Sequence, residues 1–225
     1  KVEKFAEYRQ EGLPHLDSVE FKITADSDTA FMELQAGTID ILDYLTSAQQ
    51  KAAGDGCEIL QGNMNMVQGM FLNHEYEPLS DLKVRQALCY AVNKEEINGF
   101  LFDGKSHLIG SHMIPGLARY YEPQAESLYP YDPEKAKSLL TEAGYPDGFD
   151  LEITATTAST QYLDAAQIIA DQLSRVGIRA TIKQVEWSTW LDEVYHNKQF
   201  EATVVGFDGT LAPNYWMKRY VTGSS

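Results

Sequence analysis

The string Tyr129-Pro-Tyr-Asp-Pro-Glu-Lys-Ala-Lys-Ser-Leu-Leu-Thr-Glu-Ala-Gly-Tyr-Pro-Asp-Gly-Phe149 contains both the start and the end of one helix. The carboxylate of Asp132 is placed to accept from the first free backbone N–H groups, and Pro133 fits the first helical position, where no N–H is needed. Gly144 supplies the left-handed residue that ends a helix. The apolar residues between these ends repeat at helical spacing: Ala136, Leu139 and Leu140. The string therefore predicts a capped surface helix with one buried face.

Strands and helices alternate along the rest of the predicted chain. Apolar runs and alternation predict strands at 19–23, 38–42, 57–60, 64–73, 151–155, 178–185 and 202–207. Helical spacing predicts helices at 27–36, 47–53, 161–176, 188–196 and 213–220, with two more beginning at Ser80 or Asp81 and at Asn93. Residues 105–131, rich in Tyr and Pro, predict a long ordered excursion. This alternation is typical of an α/β domain with a mixed sheet flanked by helices.

The composition is that of a folded, acidic protein. Hydrophobic residues make up 44% of the 225 residues, and the formal net charge is −15. This negative charge argues against nucleic acid as a partner, because phosphates would be repelled, and it is compatible with a secreted or surface-exposed protein. No apolar run is long enough to span a bilayer. Because the chain starts at Lys1 and shows no signal peptide, we expect a mature or trimmed segment.

The sequence offers no catalytic or metal-binding motif. Residues 80–83 match the S-x-x-K pattern of penicillin-recognising enzymes, but the companion S-D-N and K-T-G strings are missing. This favours a helix N-cap at Ser80 followed by a surface lysine. His107 and His112 lie five residues apart in a predicted loop and belong to no metal-ligand motif. We therefore predict no enzyme activity, no catalytic residue, no metal and no cofactor.

The two cysteines, Cys57 and Cys89, carry little functional information. Cys89 lies in an apolar helical run, which favours a buried free thiol. A disulfide between the two stays an open alternative, since sequence does not place the two sulfurs together.

Aromatic residues cluster near the end of the chain. Trp187 and Trp190 follow one predicted strand, and Phe207 lies at the end of the next. Ligand clefts in α/β sheets lie beyond the carboxyl ends of strands, so these rings are candidates for a cleft wall. The alternative is that they fill the core. We favour the core for Trp190, and for Trp187 and Phe207 the pattern leaves both interpretations open.

Five stretches, in their order and spacing, resemble the large solute-binding proteins of peptide- and nickel-type ABC importers, known as solute-binding family 5. They are the helix string 129–149, the strand–helix–strand pattern 22–41, the helix pair 81–97, the segment 172–180 and the dipeptide Glu186-Trp187. Each stretch is modest alone. Together they cover nearly the whole chain, and five in the family's order make a strong resemblance.

The resemblance implies a fold and a function. It implies a periplasmic-binding-protein type II-like lobe: residues 1–207 as the continuous second lobe of a two-lobed protein, and 208–225 as the hinge crossover that returns to the first lobe. The expected function is capture of a small solute, an oligopeptide above all, by lobe closure and delivery to a membrane permease. The implied partners are the solute, the first lobe and the permease. The implied location is extracytoplasmic, either the periplasm or the cell surface as a lipoprotein.

The resemblance also implies ligand contacts. Trp187 falls where oligopeptide binders place a cleft-lining tryptophan, and Gly206 and Phe207 fall on the family's Gly-Trp pair. A turn at 154–161 falls on a loop that reaches into the cleft. The expected ligand-binding residues are Trp187, Gly206, Phe207, Asp208, Thr210, Thr154, Thr156 and Ser159.

Two positions depart from the family's peptide-binding pattern. The aspartate that holds a free amino terminus is replaced by Thr210, with Asp208 displaced by two residues, and the basic residue seven positions after the tryptophan is Val194. Both changes weaken the inference to a peptide with an ammonium group. A neutral oligosaccharide therefore stays an alternative solute, and an extracellular hydrolase domain stays an alternative of another class.

Overall fold

The computed structural model describes residues 1–24, 26–62, 64–208, 213–217 and 221. The chain divides into two compact units, Lys1–Ile59 and Leu60–Ser225. In the described residues no helix combines the length and the apolar character needed to cross a membrane.

The first unit contains a short strand pair and two helices. Strands β1 (Val2–Glu3) and β2 (Ser18–Val19) are antiparallel. Helices α1 (Ser27–Gln35) and α2 (Ser47–Ala52) are followed by a 3-10 turn, Gly54–Gly56. The side chain of Gln49, which is 6% exposed, donates to the carbonyl oxygen of Ser27 at 3.3 Å and so links α2 to α1.

Three strands predicted in the first unit are wrong. The predicted strand 19–23 shortens to Ser18–Val19, and residues 38–42 and 57–60 form no strand. Phe21 and Ile23 are 73% and 96% exposed, so their alternating pattern packs against no sheet. Alternation alone predicts a strand only where a neighbouring strand supplies hydrogen bonds and a core supplies a buried face.

The second unit is built around one mixed sheet. Its strands are β3 (Met66–Leu72), β4 (Asp150–Thr156), β5 (Arg179–Val185) and β6 (Ala202–Asp208). They lie in the order β3-β6-β4-β5. Strand β4 is parallel to both β5 and β6, whereas β3 is antiparallel to β6. The predicted α/β class with a mixed sheet is confirmed for this unit.

Helices connect and cover these strands. They are α3 (Glu77–Ser80), α4 (Leu82–Ala91), α5 (Lys94–Phe102), α6 (Pro133–Glu142), α7 (Thr160–Ser174), α8 (Trp187–Thr189), a π-helix (Trp190–His196) and α9 (Pro213–Met217). Two 3-10 turns, Pro115–Leu117 and Pro123–Ser127, lie in the excursion after α5. The predicted loop-rich excursion is confirmed.

Helix α6 has the caps that its sequence predicts. The Asp132 carboxylate accepts from the backbone N–H of Lys135 at 2.9 Å, and Pro133 is the first helical residue. Gly144 has a φ of +91°, and the N–H of Tyr145 then donates to the carbonyl oxygen of Leu140 at 2.8 Å. The three periodic apolar residues are all buried: Ala136, Leu139 and Leu140. Each buried leucine contributes at most about 1.5–3 kcal/mol by removal from water.

Helix α4 lies beside α6. The sequence pattern also places Leu82 on the apolar side of α4, but this residue is 59% exposed. Asp81 caps the helix by accepting from the N–H of Lys83 at 2.6 Å, which settles the choice between Ser80 and Asp81. The buried face is Val84, Ala87, Leu88 and Ala91. Cys89 is exposed rather than buried, because it lies off this face, and both Cys57 and Cys89 are free thiols.

The two faces of the sheet have different covers. One face packs against α4, α6 and α7 through Leu151, Ile153, Ala155, Ala202 and Val204. There the buried Gln172 of α7 accepts from the N–H of Asn93 at 3.0 Å and donates to the carboxylate of Glu96 at 2.8 Å, which fixes the start of α5. The other face carries Val185 and Val205, and these pack against Trp190 and Val194 of the π-helix. Both faces of the sheet are therefore packed against helices.

A polar cluster holds the excursion together. The carboxylate of Glu126 accepts a hydrogen bond from the hydroxyl of Tyr121 and shares another with Nε2 of His107 at 3.2 Å. These hydrogen bonds, that of Tyr121 first, lower the pKa of Glu126. Burial and then Glu126 raise the pKa of Tyr121 to about 12.

We expect Glu126→Gln to accelerate amide hydrogen exchange in the excursion at neutral pH. A carboxylate whose folded-state pKa is lowered contributes stability above the ordinary value of 4.5, and that contribution is lost as pH falls through the folded-state pKa. The exchange rates of the wild type and the variant should therefore converge in acid. A difference that persists unchanged well below pH 4.5 would contradict this account.

Candidate functional site

The carboxyl ends of three strands meet at one edge of the sheet. Because β4 is parallel to β5 and β6, the strand ends Thr156, Val185 and Asp208 point the same way. The N–H of Thr157 donates to the carbonyl oxygen of Val185 at 2.9 Å and so ties two of these ends together. We call this region the carboxyl edge. It is where ligand clefts lie in α/β sheets.

Two tryptophans are stacked where β5 ends. The rings of Trp187 and Trp190 are parallel within 5°, with their centroids 5.1 Å apart. Trp190 is only 2% exposed, which confirms its predicted place in the core, whereas Trp187 is 44% exposed. One face of the Trp187 ring is therefore held by a buried ring, and the rest of its surface is available to a solute.

Hydrogen bonds fix the position of the Trp190 ring. Nε1 of Trp190 donates to Oγ1 of Thr203 at 2.9 Å, and that hydroxyl donates to the carbonyl oxygen of Thr154 at 2.7 Å. Thr203 is 2% exposed, so this chain of bonds is shielded from water. This hydrogen bond offsets the cost of removing the indole N–H from water, and its direction is set by strands β4 and β6.

Phe207 lies on the same face of β6 as Thr203. Its ring makes an edge contact with Phe71 at 4.8 Å and lies 6.2 Å from Trp190. The side chain is partly buried. Phe207 therefore combines both interpretations that the sequence left open, because it packs on the core cluster and also reaches the carboxyl edge.

Gly206 lies on the opposite face of β6, where space is tight. A Cβ atom at this position would lie 2.7 Å from Sδ of Met66 and 2.8 Å from the hydroxyl oxygen of Tyr162. The Tyr162 hydroxyl contacts Sδ of Met66 at 3.8 Å. The absence of a side chain therefore lets the start of α7 close over the strand end.

We expect Gly206→Ala to lower the free energy of unfolding by about 1 kcal/mol, the low end of overpacking costs, because the atoms that the added methyl group meets are side-chain ends that can shift. Tyr162→Phe should restore part of the loss in the double variant, since it removes the atom at 2.8 Å. Gly69→Ala is the matched control, because the nearest atom to its Cβ would be 3.8 Å away. Urea unfolding measures all four proteins. Equal losses at Gly206 and Gly69 would contradict this reading of the contact.

The predicted turn at 154–161 is wrong at its start. Strand β4 continues through Thr156, and Thr154 and Thr156 are 1% and 0% exposed. Oγ1 of Thr156 accepts from the N–H of Ala158 at 3.2 Å, as in a local turn cap. Ser159 follows at the N-cap position of α7 and is partly buried. The burial of both threonines argues against direct solute contact. Among the predicted hydroxyl residues that the structure describes, Ser159 is the one that is not fully buried.

The remaining predicted contacts lie at or beyond the end of β6. Asp208 is exposed on the same face as Gly206. Thr210 lies outside the described residues. Val194 is 3% exposed and belongs to the core beneath Trp190. The position where peptide binders often carry a basic residue is thus a packing position here.

A cavity of the second unit lies at the opposite end of the sheet, away from the carboxyl edge. It measures about 380 Å³ and is lined by Asn73, Glu75, Tyr76, Glu152, Lys198, Gln199, Phe200 and Glu201. In it the Glu201 carboxylate accepts from the N–H of Glu152 at 2.6 Å, and burial followed by Glu201 raises the pKa of Tyr76. This cavity is open and carries no aromatic stack. Within the described ranges no three His, Cys, Asp or Glu side chains could hold a metal ion together.

Comparison with known proteins decides the family. Residues 1–225 match the family model of the bacterial extracellular solute-binding proteins, family 5, middle part. The chain belongs to this family. The predicted resemblance is confirmed, and structural neighbours of the same family confirm the type II periplasmic-binding-protein fold.

Similar proteins of this family bind solutes of different kinds. The glutathione-binding protein GsiB of Salmonella choleraesuis is 32% identical over 91% of the chain. The structure of AgaA from A. tumefaciens R10, in complex with agropinic acid, is 30% identical with a TM-score of 0.79, over 92% of this chain and 42% of that one. A dipeptide-binding protein from Pseudoalteromonas sp. SM9913, in complex with Met-Leu, is 26% identical with a TM-score of 0.71, over 86% and 39%. The chain spans about 40% of the length of the curated family 5 relatives it matches.

Sequence reasoning missed two aromatic residues at this site. Tyr162 closes over Gly206, and Tyr195 lies against Trp190 with its ring centroid 6.1 Å away. The signal for Tyr162 is its place in the first turn of α7, directly after the predicted loop. Tyr195 had no signal, because helical periodicity assumes an α-helix and this segment is a π-helix.

Proposed function

We propose that this chain is the second lobe of an extracytoplasmic solute-binding protein of an ABC importer. In this proposal residues 1–207 belong to the lobe and 208–225 begin the hinge crossover to the first lobe. The protein captures a small solute, an oligopeptide in the first place, by lobe closure and delivers it to a membrane permease. Membership of family 5 and the middle-part match support this proposal.

One observation supports the position that we propose for the bound solute. Trp187 is 44% exposed and rests on the buried Trp190, at the edge of the sheet where Phe207 also ends. A large apolar surface held rigid at an open edge costs little conformational entropy on binding, since the ring is already ordered. No other described edge of this sheet carries such a stack.

Lobe closure implies that one lobe alone binds poorly. The solute in a closed protein is buried between two surfaces, and the free energy of closure comes from contacts that only the closed state makes. The 225-residue chain should therefore bind the solute at least about tenfold more weakly than the two-lobed protein, because each 1.4 kcal/mol of lost contact is a factor of ten.

Native mass spectrometry of the two-lobed protein, purified without denaturation, identifies the solute. Calorimetry with that solute then compares the wild type, Trp187→Ala and Phe100→Ala. We expect a roughly 30-fold loss for Trp187→Ala, which is typical of an aromatic anchor, and none for Phe100→Ala, a 72% exposed residue of α5. Unchanged affinity in Trp187→Ala would contradict the site. Equal affinity of the isolated chain would contradict lobe closure.

The same mass spectrum separates the alternatives for the solute and for the class of protein. GsiB and the Met-Leu complex support a peptide class. An oligosaccharide mass would replace the peptide assignment and leave the site in place. A bound solute recovered as cleavage fragments would favour the hydrolase alternative, whereas a binding protein releases its solute unchanged.

A further inference from the structure

The segment Trp190–His196 is a π-helix, which is rare and often found at functional sites. The N–H of Asn197 donates to the carbonyl oxygen of Asp192, five residues back, at 3.0 Å. Directly before it, the N–H of Trp190 donates to Glu186, four residues back, at 2.9 Å, as in an α-helix. The helix therefore widens just after Trp190, and this changes which side chains share a face.

The wider turn brings Tyr195 to the face of Trp190. Their ring centroids are 6.1 Å apart, with planes 30° from parallel. In a regular α-helix two residues five apart are rotated by about 140°, so Tyr195 would point away from Trp190. Because Trp187 stacks on Trp190 from the previous turn, the three rings form one stripe along the helix.

Tyr195 is a candidate for solute contact rather than for the core. It is 48% exposed, and its ring centroid lies 6.5 Å from that of Phe207. Trp190, which it borders, is 2% exposed. We call the exposed surfaces of Trp187, Tyr195 and Phe207 the aromatic platform. Its members are ordered by a buried ring, so a solute group that stacks there meets a preformed surface.

The charges around the platform select against anionic groups. Glu186 is an exposed carboxylate next to Trp187 in the chain, and the exposed Asp192 lies three residues before Tyr195. Lys183, a nearby cation, is paired with Glu193 at 3.0 Å, and this hydrogen bond raises the pKa of Lys183. The ring of His196 lies against Tyr195, with the two centroids 5.4 Å apart. Aromatic faces are themselves electron-rich. A flat group of the solute that carries no negative charge therefore fits the platform better than a carboxylate or a phosphate.

We propose that Tyr195 is a specificity-determining contact of the solute site, placed there by the π-helix, and that it takes a flat group of the solute that carries no negative charge. This inference rests on the proposed function. It adds a residue that the family resemblance did not imply, and it names the kind of group that the site prefers.

The test uses the two-lobed protein and an equimolar mixture of Ala-X-Ala tripeptides, where X is each standard amino acid. Peptides retained after gel filtration are measured by mass spectrometry. We expect the wild type to retain peptides with aromatic X over Ala-Ala-Ala. The ratio of retained aromatic peptides to retained Ala-Ala-Ala should fall about three- to tenfold in Tyr195→Ala. In Tyr195→Phe this ratio should keep its wild-type value. Phe100→Ala is the matched control, since it is an exposed aromatic residue on the other side of the sheet.

The readout is a ratio between peptides, which a general loss of folded protein does not change. If Tyr195→Ala does not fold, Tyr195→Leu replaces it, because leucine is apolar but not flat. An unchanged ratio in a variant that still retains peptides would overturn this inference alone. Retention of no tripeptide by the wild type would overturn the oligopeptide assignment and this inference together.

Discussion

Gly148→Ala is expected to lower the free energy of unfolding by about 2–5 kcal/mol. A Cβ atom at Gly148 would lie 1.8 Å from the carbonyl oxygen of Gly177, so two backbone segments would have to separate. The residue also has a φ of +71°, which adds about 1–2 kcal/mol of strain for an alanine. Overpacking adds about 1–3 kcal/mol or more, because a backbone neighbour cannot swing aside.

This contact matters for the site because it sets a strand register. Gly148 and Gly177 precede β4 and β5, whose parallel pairing begins at Asp150 opposite Arg179. The N–H of Arg179 donates to the carbonyl oxygen of Phe149 at 2.8 Å. Separating the two glycines would disturb the whole ladder and, at its far end, the carboxyl edge.

Gly144→Ala is the matched control for Gly148→Ala. Gly144 has a φ of +91° but no atom within 4 Å of its Cβ position, so this variant should show the backbone strain alone, about 1–2 kcal/mol. Urea unfolding of the wild type, Gly148→Ala and Gly144→Ala gives the loss in free energy of unfolding for each variant. Losses that agree within about 0.5 kcal/mol, the usual spread of surface substitutions, would contradict the close approach of the two backbones.

Trp190→Ala is expected to lower the free energy of unfolding by about 3–5 kcal/mol, because it removes a large buried ring and leaves a cavity. The side chain is 2% exposed, and Nε1 donates to Thr203 at 2.9 Å. The same change should also weaken solute binding, since Trp187 loses the ring on which it stacks. Urea unfolding and calorimetry measure the two effects separately.

Two neighbouring variants separate packing from binding. Trp190→Phe keeps an aromatic ring and loses the donor, so we expect a smaller stability loss of about 1–2 kcal/mol. Trp187→Ala should cost about 1 kcal/mol or less in stability, because the side chain is 44% exposed, but should reduce solute binding strongly. Equal stability losses in Trp187→Ala and Trp190→Ala would contradict the assignment of one ring to the core and the other to the surface.

The sheet and the capped helices of the second unit were predictable because their signals are local. Asp132, Pro133 and Gly144 mark the ends of α6 through side-chain and backbone chemistry that needs no partner. Alternation of apolar and polar residues marked β4, and an apolar run marked β6. In the first unit the same patterns failed, because Phe21 and Ile23 alternate correctly but have no sheet to pack on.

The site was predictable only in outline. Trp187 and Phe207 were placed at the carboxyl edge because strands end there. Burial of Thr154 depends on how far β4 continues, which no single residue signals. Tyr195 depends on a π-helix, whose hydrogen-bond pattern is set by tertiary packing around Trp190 rather than by a sequence motif.

Hydrogen exchange of the two-lobed protein with and without its co-purified solute tests most directly where the solute binds. The account predicts slower amide exchange on binding at 157–162, 186–189 and 206–208, the segments of the carboxyl edge. It predicts unchanged exchange at 73–76 and 198–201, which line the cavity at the opposite end of the sheet. Protection of those two segments, with exchange at the carboxyl edge unaltered, would contradict the central claim.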